Sequence, residues 1–458
     1  MSDQQTPEQT GSAPASAPMS RRTLLKLGSL GAAAMGVSPL LAACGGSSSG
    51  SASSSGSSSA AVGGSGGGKK ATVRVWTWYT QQQKEFPRLI SEFQAKNPNI
   101  TVENRIFGTP DQFLPALAAA VSAGNPPEIF APHIRALTYG QQGVSADLKK
   151  ELGDDFLADF FKSTRDEYTL EGKQYALGWM AQTFGIFYNP DMLSAAGVQG
   201  EPETWDDLIA AAAKIGKTGK AAVTVSANPS TSGLDFFLPL LAQVTDDPTY
   251  YLKLDQLDGV SYTDQPVIDA LTLLQKLVKA KVFQPGVNGT AGDQAEQLFY
   301  TGGSAMLFNG SWTPQDLITN APKGFADKVK VMQTPALKPG AKHYTANQAG
   351  AGLAVSETSK NKDAALEFVK FIYSPEQYAT TMNNSNSMPS TQSAAEKVSN
   401  PVLKQMTSWL IAGNGVPHIP FGNGSSEAGG PLASIYDGSG DPADVAKKMQ
   451  EAVKNVRG

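Results

Sequence analysis

A 24-residue segment built almost entirely of glycine and serine divides this 458-residue chain into two unequal parts. Residues 45–68 hold nine Gly, eleven Ser, three Ala and one Val. So few apolar side chains cannot bury enough surface to fold, and a flexible coil of this length reaches roughly 25–30 Å between its ends. The segment therefore predicts a tether, which leaves residues 69–458 as the part of the chain that folds.

The tether is preceded by an apolar run with a positively charged start. Arg21 and Arg22 stand before residues 27–43, which are almost free of charge and rich in Leu, Ala and Gly. A positive start, an apolar middle and a small-residue end are typical of an export signal, and paired arginines are typical of the Tat type. The alternative is a transmembrane anchor, but the run is short and contains Pro39. Residues 1–43 are predicted to be a Tat-type lipoprotein signal peptide.

The only cysteine of the chain, Cys44, lies between the apolar run and the tether. The sequence Leu41-Ala42-Ala43-Cys44 resembles the bacterial lipobox, in which cleavage precedes the cysteine and its thiol carries the lipid. A lone cysteine in an exported chain cannot form an internal disulfide, and an exposed free thiol is reactive. Residues 44–68 are thus predicted to be a lipidated cysteine and its tether, at the outer face of the cell membrane. The alternative is an unmodified cysteine within a leader.

The folded part has a length and charge that narrow the possible classes of protein. Its 390 residues are long for one core, so two lobes are expected. The chain has 37 basic and 41 acidic residues and no basic block, so no nucleic-acid partner is expected. After the leader, no apolar run approaches the length of a membrane span. The three histidines, His133, His343 and His418, are far apart and carry no metal-ligand motif, so neither a metal nor another cofactor is expected.

Strand-like and helix-like segments alternate along the chain. Residues 71–79, 100–107 and 127–132 predict strands, and residues 84–97 and 111–125 predict helices between them. This order favours a parallel sheet flanked by helices, which is an α/β lobe. A second set predicts strands at 186–188, 221–227, 304–312, 328–336 and 351–357, a helix after Thr204 with Asp207 in a capping box, and helices at 264–281, 361–374 and 442–456.

Several of these segments carry recognisable motifs in a fixed order. They are "VRVWTWY", "SAGNPPEIF", "EGKQYALGWMAQTFGIFYNPDMLSAAGV", "AMLFNGSW", "AGLAVSETSKNKDAALEFVKFIYSPE" and "MPS". With the leader, they resemble the family 1 extracellular solute-binding proteins, the carbohydrate-binding lipoproteins of ABC importers that are related in fold to maltose-binding protein. The resemblance covers nearly all of residues 71–458. Gly178 stands where the family often has Pro, and Glu128 stands where Asp is usual.

The resemblance implies a type II periplasmic-binding-protein-like α/β fold, with two lobes that are each a β-sheet flanked by helices and with the ligand in the interlobe cleft. Lobe 1 is expected to comprise residues 69–181 and 335–383, and lobe 2 residues 182–334 and 384–458. Crossovers are expected near residues 180–184, 333–336 and 383–389, about which the lobes close by hinge motion.

The function that the resemblance implies is binding of a sugar or oligosaccharide and its delivery to the transmembrane subunits of an ABC permease. The protein is expected to act as a monomer, held at the membrane by its lipid anchor. Two alternatives stay open: a secreted lipoprotein glycoside hydrolase, and a binding protein for a non-sugar solute. No G-x-S-x-G, H-E-x-x-H or cysteine-pair motif is present, so an enzyme is not expected. Carboxylates are plentiful, however, so a hydrolytic pair is compatible with the sequence.

A sugar site needs flat aromatic faces for the C–H face of the ring and planar polar groups for its hydroxyls. The resemblance implies that Trp312, in "FNGSW", stacks on the sugar. The loop after the first strand supplies Trp78, Tyr79 and Gln81. The polar candidates at other strand ends and loops are Asp111, His133, Arg135, Gln182, Asn228, Ser232, Asn347, Gln348 and Glu427.

Each candidate also has a purely structural alternative. Trp76 and Trp78 alternate along one strand and are both compatible with a core. Trp179 suits either cleft or packing, and Trp205 opens a helix and is expected to be structural. Among the polar candidates, the Asp111 side chain suits a helix cap and that of Arg135 a surface ion pair.

Overall fold

A computed structural model describes residues 70–229, 232–417 and 424–457. The predicted signal peptide, Cys44, the tether and His418 lie outside the described residues, as do the side chains of Asp111 and Gln348. Among the described helices, none combines the length and apolar character needed to cross a membrane.

Eleven strands occur in the described part of the chain. They are β1 (Ala71–Thr77), β2 (Ile100–Ile106), β3 (Ile129–Phe130), β4 (Thr169–Leu170), β5 (Lys173–Gln174), β6 (Leu177–Tyr188), β7 (Ala221–Thr224), β8 (Ser304–Gly310), β9 (Lys330–Met332), β10 (Thr345–Val355) and β11 (Gly415–Pro417).

The helices lie between and after these strands. They are α1 (Glu85–Lys96), α2 (Pro110–Ser122), α3 (Ala136–Gln141), α4 (Leu148–Leu152), α5 (Asp154–Leu157), α6 (Lys162–Asp166), α7 (Pro190–Ala195), α8 (Trp205–Gly216), α9 (Ser232–Thr245), α10 (Tyr250–Gln256), α11 (Gln265–Lys279), α12 (Gly292–Tyr300), α13 (Thr313–Asn320), α14 (Lys362–Ile372), α15 (Pro375–Asn384), α16 (Gln392–Ala395), α17 (Pro401–Ile411), α18 (Gly424–Tyr436) and α19 (Pro442–Arg457). Short 3₁₀ helices span Thr80–Gln82, His133–Arg135, Val287–Gly289 and Ala326–Lys328.

Nine of the described strands form one mixed sheet in the order β2-β1-β3-β10-β6-β8-β7, with β11 beside β10 and β9 beside β6. β1 is parallel to β2 and β3, as the β-α-β-α-β order of the sequence predicts. β7 is parallel to β8, and β11 is parallel to β10. In the middle of the sheet, β10 runs antiparallel to β3 and β6, and β6 runs antiparallel to β8. Parallel strands need covered faces, and the helices supply that cover.

Local sequence signals account for several element boundaries. In β1 the side chains of Val73, Val75 and Thr77 are buried and alternate with more exposed neighbours, as a strand with one core face requires. The predicted capping box at α8 is confirmed: Asp207 N donates to the Thr204 hydroxyl oxygen, and Thr204 N donates to the Asp207 carboxylate at 2.9 Å. Such a cap satisfies backbone donors that the first helical turn leaves free.

Three hydrophobic clusters divide the described residues into two lobes. One cluster runs from Val73 to Met180 and returns from Ala351, and it forms the first lobe. The other two clusters lie mostly within residues 184–346 and 395–453 and form the second lobe. Phe187 and Leu307 belong to one of these two clusters, and Ile186 and Phe308 to the other, because successive strand side chains point to opposite faces of a sheet.

The chain passes between the lobes inside β6 and again inside β10. β6 is one uninterrupted strand of 12 residues, and its side chains are buried along almost its whole length. The predicted crossover at 180–184 therefore lies within a strand. Tyr344 and Ala346 pack with the second lobe and Ala351 with the first, which favours a second crossover later than residues 333–336. The exact lobe limits given above stay a prediction.

Candidate functional site

One pocket lies where the ends of β1 and β8 meet the β6 crossover. Its empty space, counted together with the open solvent at its mouth, is about 280 Å³. Open α/β sheets bind ligands at the carboxyl ends of their parallel strands, and both β1 and β8 end here. The residues that line it come from both lobes and from the segment after α15: Gln81, Met180, Ala181, Gln182, Ser311, Trp312, Gln315, Asn386, Ser387 and Met388.

Trp312 presents the only aromatic ring among these lining residues. Its indole lies edge-on to the Phe184 ring, with ring centroids 5.3 Å apart. The ring also folds over Gly310, where an added Cβ would lie only 2.0 Å from the indole Cζ3. A residue larger than glycine at 310 would therefore push the ring away. The side chain is half-buried, so part of its surface is open to the pocket.

Hydrogen bonds tie the loops of the pocket to one another. The buried Gln82 amide donates to the Ser385 hydroxyl at 2.9 Å, which links the loop after β1 to the segment after α15. The Ser311 hydroxyl donates to the Ala181 carbonyl at 3.3 Å, which links the loop after β8 to the β6 crossover. The half-buried side chains of Gln81 and Gln182, which neighbour these bonded residues in the chain, line the pocket.

Two residues that line the pocket, Gln315 and Asn386, were not predicted from the sequence. Asn386 Nδ2 donates to Gln315 Oε1 at 3.1 Å, and Asn386 has a positive φ of 45°. Gln315 lies one helical turn after Trp312, so its place near the pocket could have been inferred from that spacing. Asn386 lies in the predicted third crossover, and no local signal distinguishes it from its neighbours.

Trp78 and His133 form a second group of predicted residues, outside the lining of this pocket. Their ring centroids are 5.2 Å apart with the rings edge to face, and the Phe113 ring centroid lies 4.9 Å from that of Trp78. Burial, and to a lesser extent the charge of Arg135, lower the pKa of His133 to about 4. The imidazole is therefore neutral at physiological pH and can both donate and accept a hydrogen bond. No ion pair joins Arg135, which is exposed, to any described carboxylate.

Tyr79 is in the core rather than at the cleft. Its side chain is 1% exposed, and its hydroxyl donates to the Gly352 carbonyl at 2.6 Å. The expectation that it faces the ligand therefore disagrees with this structure. The physical reason is that the Tyr79 ring packs edge to face against the Trp78 ring at 5.0 Å while its hydroxyl is hydrogen-bonded to the backbone inside the first lobe.

Four other predicted residues are absent from the described lining of the pocket. Asn228 and Glu427 are exposed, Ser232 begins α9, and Asn347 is 2% exposed on β10. Both polar side-chain atoms of Asn347 lack a hydrogen-bond partner, which is rare for a buried amide. Of Asp111 and Gln348 only the backbone is described, in α2 and β10. The cap of α2 is Thr109, whose hydroxyl accepts from Gln112 N, and not Asp111. The ligand-binding roles of all six predicted residues in this group stay predictions.

The sequence profile of the bacterial extracellular solute-binding proteins matches residues 77–379, which include both pocket-forming strand ends. The chain belongs to the bacterial extracellular solute-binding proteins. It is 26% identical over 377 residues to a binding protein of Brucella abortus, covering 79% of this chain and 87% of that one. It is also 26% identical over 306 residues to the arabinooligosaccharide-binding protein of Bacillus subtilis, covering 65% and 67%.

Solved structures confirm the fold of this solute-binding protein. The cyclic α-maltosyl-1,6-maltose binding protein of Arthrobacter globiformis superposes with a TM-score of 0.70 at 20% identity, covering 84% of this chain and 98% of that one. The predicted type II two-lobe architecture is therefore confirmed. Membership places the protein outside the cytoplasm and in a family of solute-binding proteins.

Three further tryptophans of this solute-binding protein have structural roles. Trp179 is fully buried among Phe86, Tyr373 and Tyr378. Of the two roles that the sequence left open, the cleft and the core, the structure therefore supports the core. Trp205 Nε1 donates to Gln243 Oε1 at 2.7 Å inside the second lobe, as its expected structural role requires. Trp76 packs edge-on against Phe107.

A wider groove lies between α3, the β4–β5 hairpin and α10. Its empty space is about 1100 Å³, including open solvent, and it is lined by Leu137, Thr138, Gln141, Thr169, Leu170, Glu171, Leu252, Lys253, Gln256 and Asp258. No aromatic ring is among these described residues, so none of them can stack on the C–H face of a sugar. Size alone would favour this groove, but the chemistry favours the pocket at Trp312.

Proposed function

We propose that this solute-binding protein binds a sugar or oligosaccharide between its lobes and delivers it to an ABC permease. The observation that carries the proposal is the pocket at Trp312, where an aromatic ring stands among described lining residues that come from both lobes and are all uncharged. A solute that fits must offer an apolar face to the ring and neutral hydrogen-bonding groups to the amides, which is the chemistry of a carbohydrate.

The polar groups of the pocket suit hydroxyls better than ions. The amides of Gln81 and Gln182 each offer two N–H donors and one acceptor oxygen, so one side chain can serve two hydroxyls. The Gln315 amide already accepts from Asn386 and donates to Thr319, so it has fewer groups left for a ligand. A cation site would need several carboxylates, and there is none among the lining residues that the structure describes. The relatives support the same substrate class, because the Bacillus subtilis protein binds arabino-oligosaccharides and the Arthrobacter globiformis protein binds cyclic α-maltosyl-1,6-maltose.

Closure of the lobes is the proposed mechanism. Gln81 belongs to the first lobe and Trp312 to the second, and β6 and β10 cross between them. A ligand that contacts both sides binds the closed form more tightly than the open form and shifts the population toward it by that difference. The permease would then recognise the closed form as loaded, and no chemistry on the sugar is required.

The test combines a ligand screen with small-angle scattering. The panel contains linear and cyclic α-glucan oligosaccharides, arabino-oligosaccharides and β-linked disaccharides, and binding is detected as a thermal shift. We expect the radius of gyration to fall when the tightest-binding sugar saturates the protein. New reducing ends on incubation with the panel would favour the hydrolase alternative. Binding with an unchanged radius would exclude closure, and the absence of any bound sugar would exclude the proposed substrate class.

The lipid anchor and the assembly state are parts of the same proposal. The leader ends at Cys44 and a flexible tether follows, so acylation would hold the folded lobes near the membrane at a reach of roughly 25–30 Å. Each lipid methylene that enters the bilayer contributes about 0.8 kcal/mol. We propose a Tat-exported, membrane-anchored monomer that meets its permease at the outer face of the cell membrane.

Replacing Cys44 with serine is expected to release the protein from the membrane, because serine has no thiol to carry lipid. The measurement is fractionation of cells that express either form, with immunoblotting of membrane and soluble fractions. The control is Ser47→Ala, a substitution in the neighbouring tether, and this variant should stay with the membrane. Membrane retention of the Cys44→Ser form would instead indicate that the leader itself is the anchor.

A further inference from the structure

A fully buried amide lies behind the wall of the pocket at Trp312. Gln82 ends the short 3₁₀ helix after β1, and its side chain is 0% exposed. Its Nε2 donates to the Ser385 hydroxyl at 2.9 Å, and the Ser387 hydroxyl and the Met180 sulfur each lie 3.4 Å away. Ser387 and Met180 are among the described residues that line the pocket, whereas Gln82 is not. Gln82 therefore contacts the pocket wall from behind.

Ser385, the strongest partner of Gln82, lies where the first lobe ends its hold on the chain. It is the residue at which α15 ends, and α15 is tied to α1 by two side-chain bonds. Arg88 donates to the Thr381 hydroxyl at 2.8 Å, and Asn384 donates to the Glu85 carboxylate at 3.1 Å. Both helices contribute side chains to the core of the first lobe. The bond from Gln82 extends this attachment to Ser385.

Asn386, the next residue along the chain, is held by the second lobe instead. Its Nδ2 donates to Gln315 on α13 at 3.1 Å, and its Oδ1 accepts from Asn400, which caps α17, at 3.3 Å. Both of these helices contribute side chains to a cluster of the second lobe. The side-chain contacts therefore change from the first lobe to the second between Ser385 and Asn386. Any shift of Ser385 would be passed directly to a residue that lines the pocket.

We infer that Gln82 is a positioning residue for ligand binding, which fixes Ser385 and thereby holds Asn386 and Ser387 in place at the pocket wall. This inference rests on the proposed function, because the position of the wall matters to a solute that binds beside Trp312. A wall that is already ordered loses less conformational freedom when the ligand binds, which is the general advantage of a preorganised site.

Stability alone does not account for an amide at position 82. The Gln82 Oε1 is buried and has no hydrogen-bond partner among the described residues, and such a group destabilises a fold. The two serine hydroxyls have other acceptors, because Ser385 donates to the Thr381 carbonyl at 2.7 Å and Ser387 to the Ser385 carbonyl at 3.2 Å. A methionine of similar length would therefore fill the same space without leaving these hydroxyls unpaired. What it would lose is the directional bond that fixes Ser385.

The direct test is the side-chain amide signal of Asn386 in a ¹⁵N–¹H correlation spectrum of the ligand-free protein. The signal is assigned by its loss in Asn386→Gly, because glycine adopts the left-handed backbone of this position, with its φ of 45°, without strain. Gln82→Met should shift the signal and speed its exchange with solvent, since the wall is no longer fixed from behind. Gln83→Met, the same change at the exposed next residue, is the matched control and should leave the signal unchanged.

A second arm measures affinity for the tightest-binding sugar of the panel. Gln82→Met should weaken binding about three- to tenfold, the equivalent of one hydrogen bond, while the urea midpoint of the ligand-free protein does not fall. The double variant Gln82→Met/Asn386→Gly should bind no more weakly than Asn386→Gly alone, because both changes act on the same wall. Ser385→Ala removes the acceptor from the other side, should give a smaller loss, and serves if Gln82→Met does not fold.

Three results would overturn the inference. They are an unchanged dissociation constant for Gln82→Met, additive losses of affinity in the double variant, and a lower urea midpoint with an unchanged Asn386 signal, which would assign Gln82 to the core alone. Failure of every sugar to bind would instead refute the proposed function, while the Asn386 signal would still report whether Gln82 holds the wall.

Discussion

Replacing Trp179 with alanine is expected to lower the free energy of unfolding by about 3–5 kcal/mol, the usual cost of removing a buried aromatic side chain. The indole is fully buried in the first lobe, and the rings of Tyr373 and Tyr378 both lie 5.2 Å away. Truncation would leave a cavity that these rings cannot fill, because their hydroxyls are held by backbone carbonyls: Tyr373 donates to Gly178 at 3.0 Å and Tyr378 to Trp179 itself.

The measurement is chemical denaturation followed by far-ultraviolet circular dichroism. Ile318→Ala is the control, because Ile318 is 58% exposed and its replacement should change stability by less than about 0.5 kcal/mol. A loss below about 1 kcal/mol for Trp179→Ala would contradict the packing role. Near-complete loss of sugar binding with unchanged stability would instead indicate that Trp179 contacts the ligand in the cleft.

Replacing Trp312 with alanine should act in the opposite way, weakening the binding of the cognate sugar by about 1–3 kcal/mol while the fold persists. This corresponds to a dissociation constant roughly 5 to 150 times larger. The ring is half-buried and lines the pocket, so we expect it to contribute more to the free energy of ligand binding than to the stability of the fold. Trp312→Phe keeps an aromatic face and should lose less than alanine does.

Calorimetric titration of the two variants checks this expectation, with denaturation of the ligand-free proteins as the companion measurement. An unchanged dissociation constant for Trp312→Ala would remove the ring from the site. A protein that no longer folds without ligand would assign Trp312 to the core instead. The paired experiments at Trp179 and Trp312 thus separate a tryptophan that supports the fold from one that contacts the ligand.

The sequence by itself determined the class of fold and much of the outline of the protein. Alternating strand and helix patterns predicted the parallel β1–β3 arrangement, and the spacing of Thr204 and Asp207 predicted the start of α8, because both signals are local. The composition of residues 45–68 predicts a tether for the same kind of reason, because it is a local signal. The ordered motifs indicated the solute-binding family, and the family match confirms it.

The lining of the pocket was decided only by the tertiary structure. Trp179 and Trp312 are the same residue type beside strands of similar pattern, yet one is packed among Tyr373 and Tyr378, and the other faces Gln81 across the lobes. Asn386 reaches the wall because its amide meets Gln315, 71 residues earlier in the chain. Burial and contact between distant segments depend on how the lobes pack, and a local pattern carries no information about a neighbour so far away in sequence.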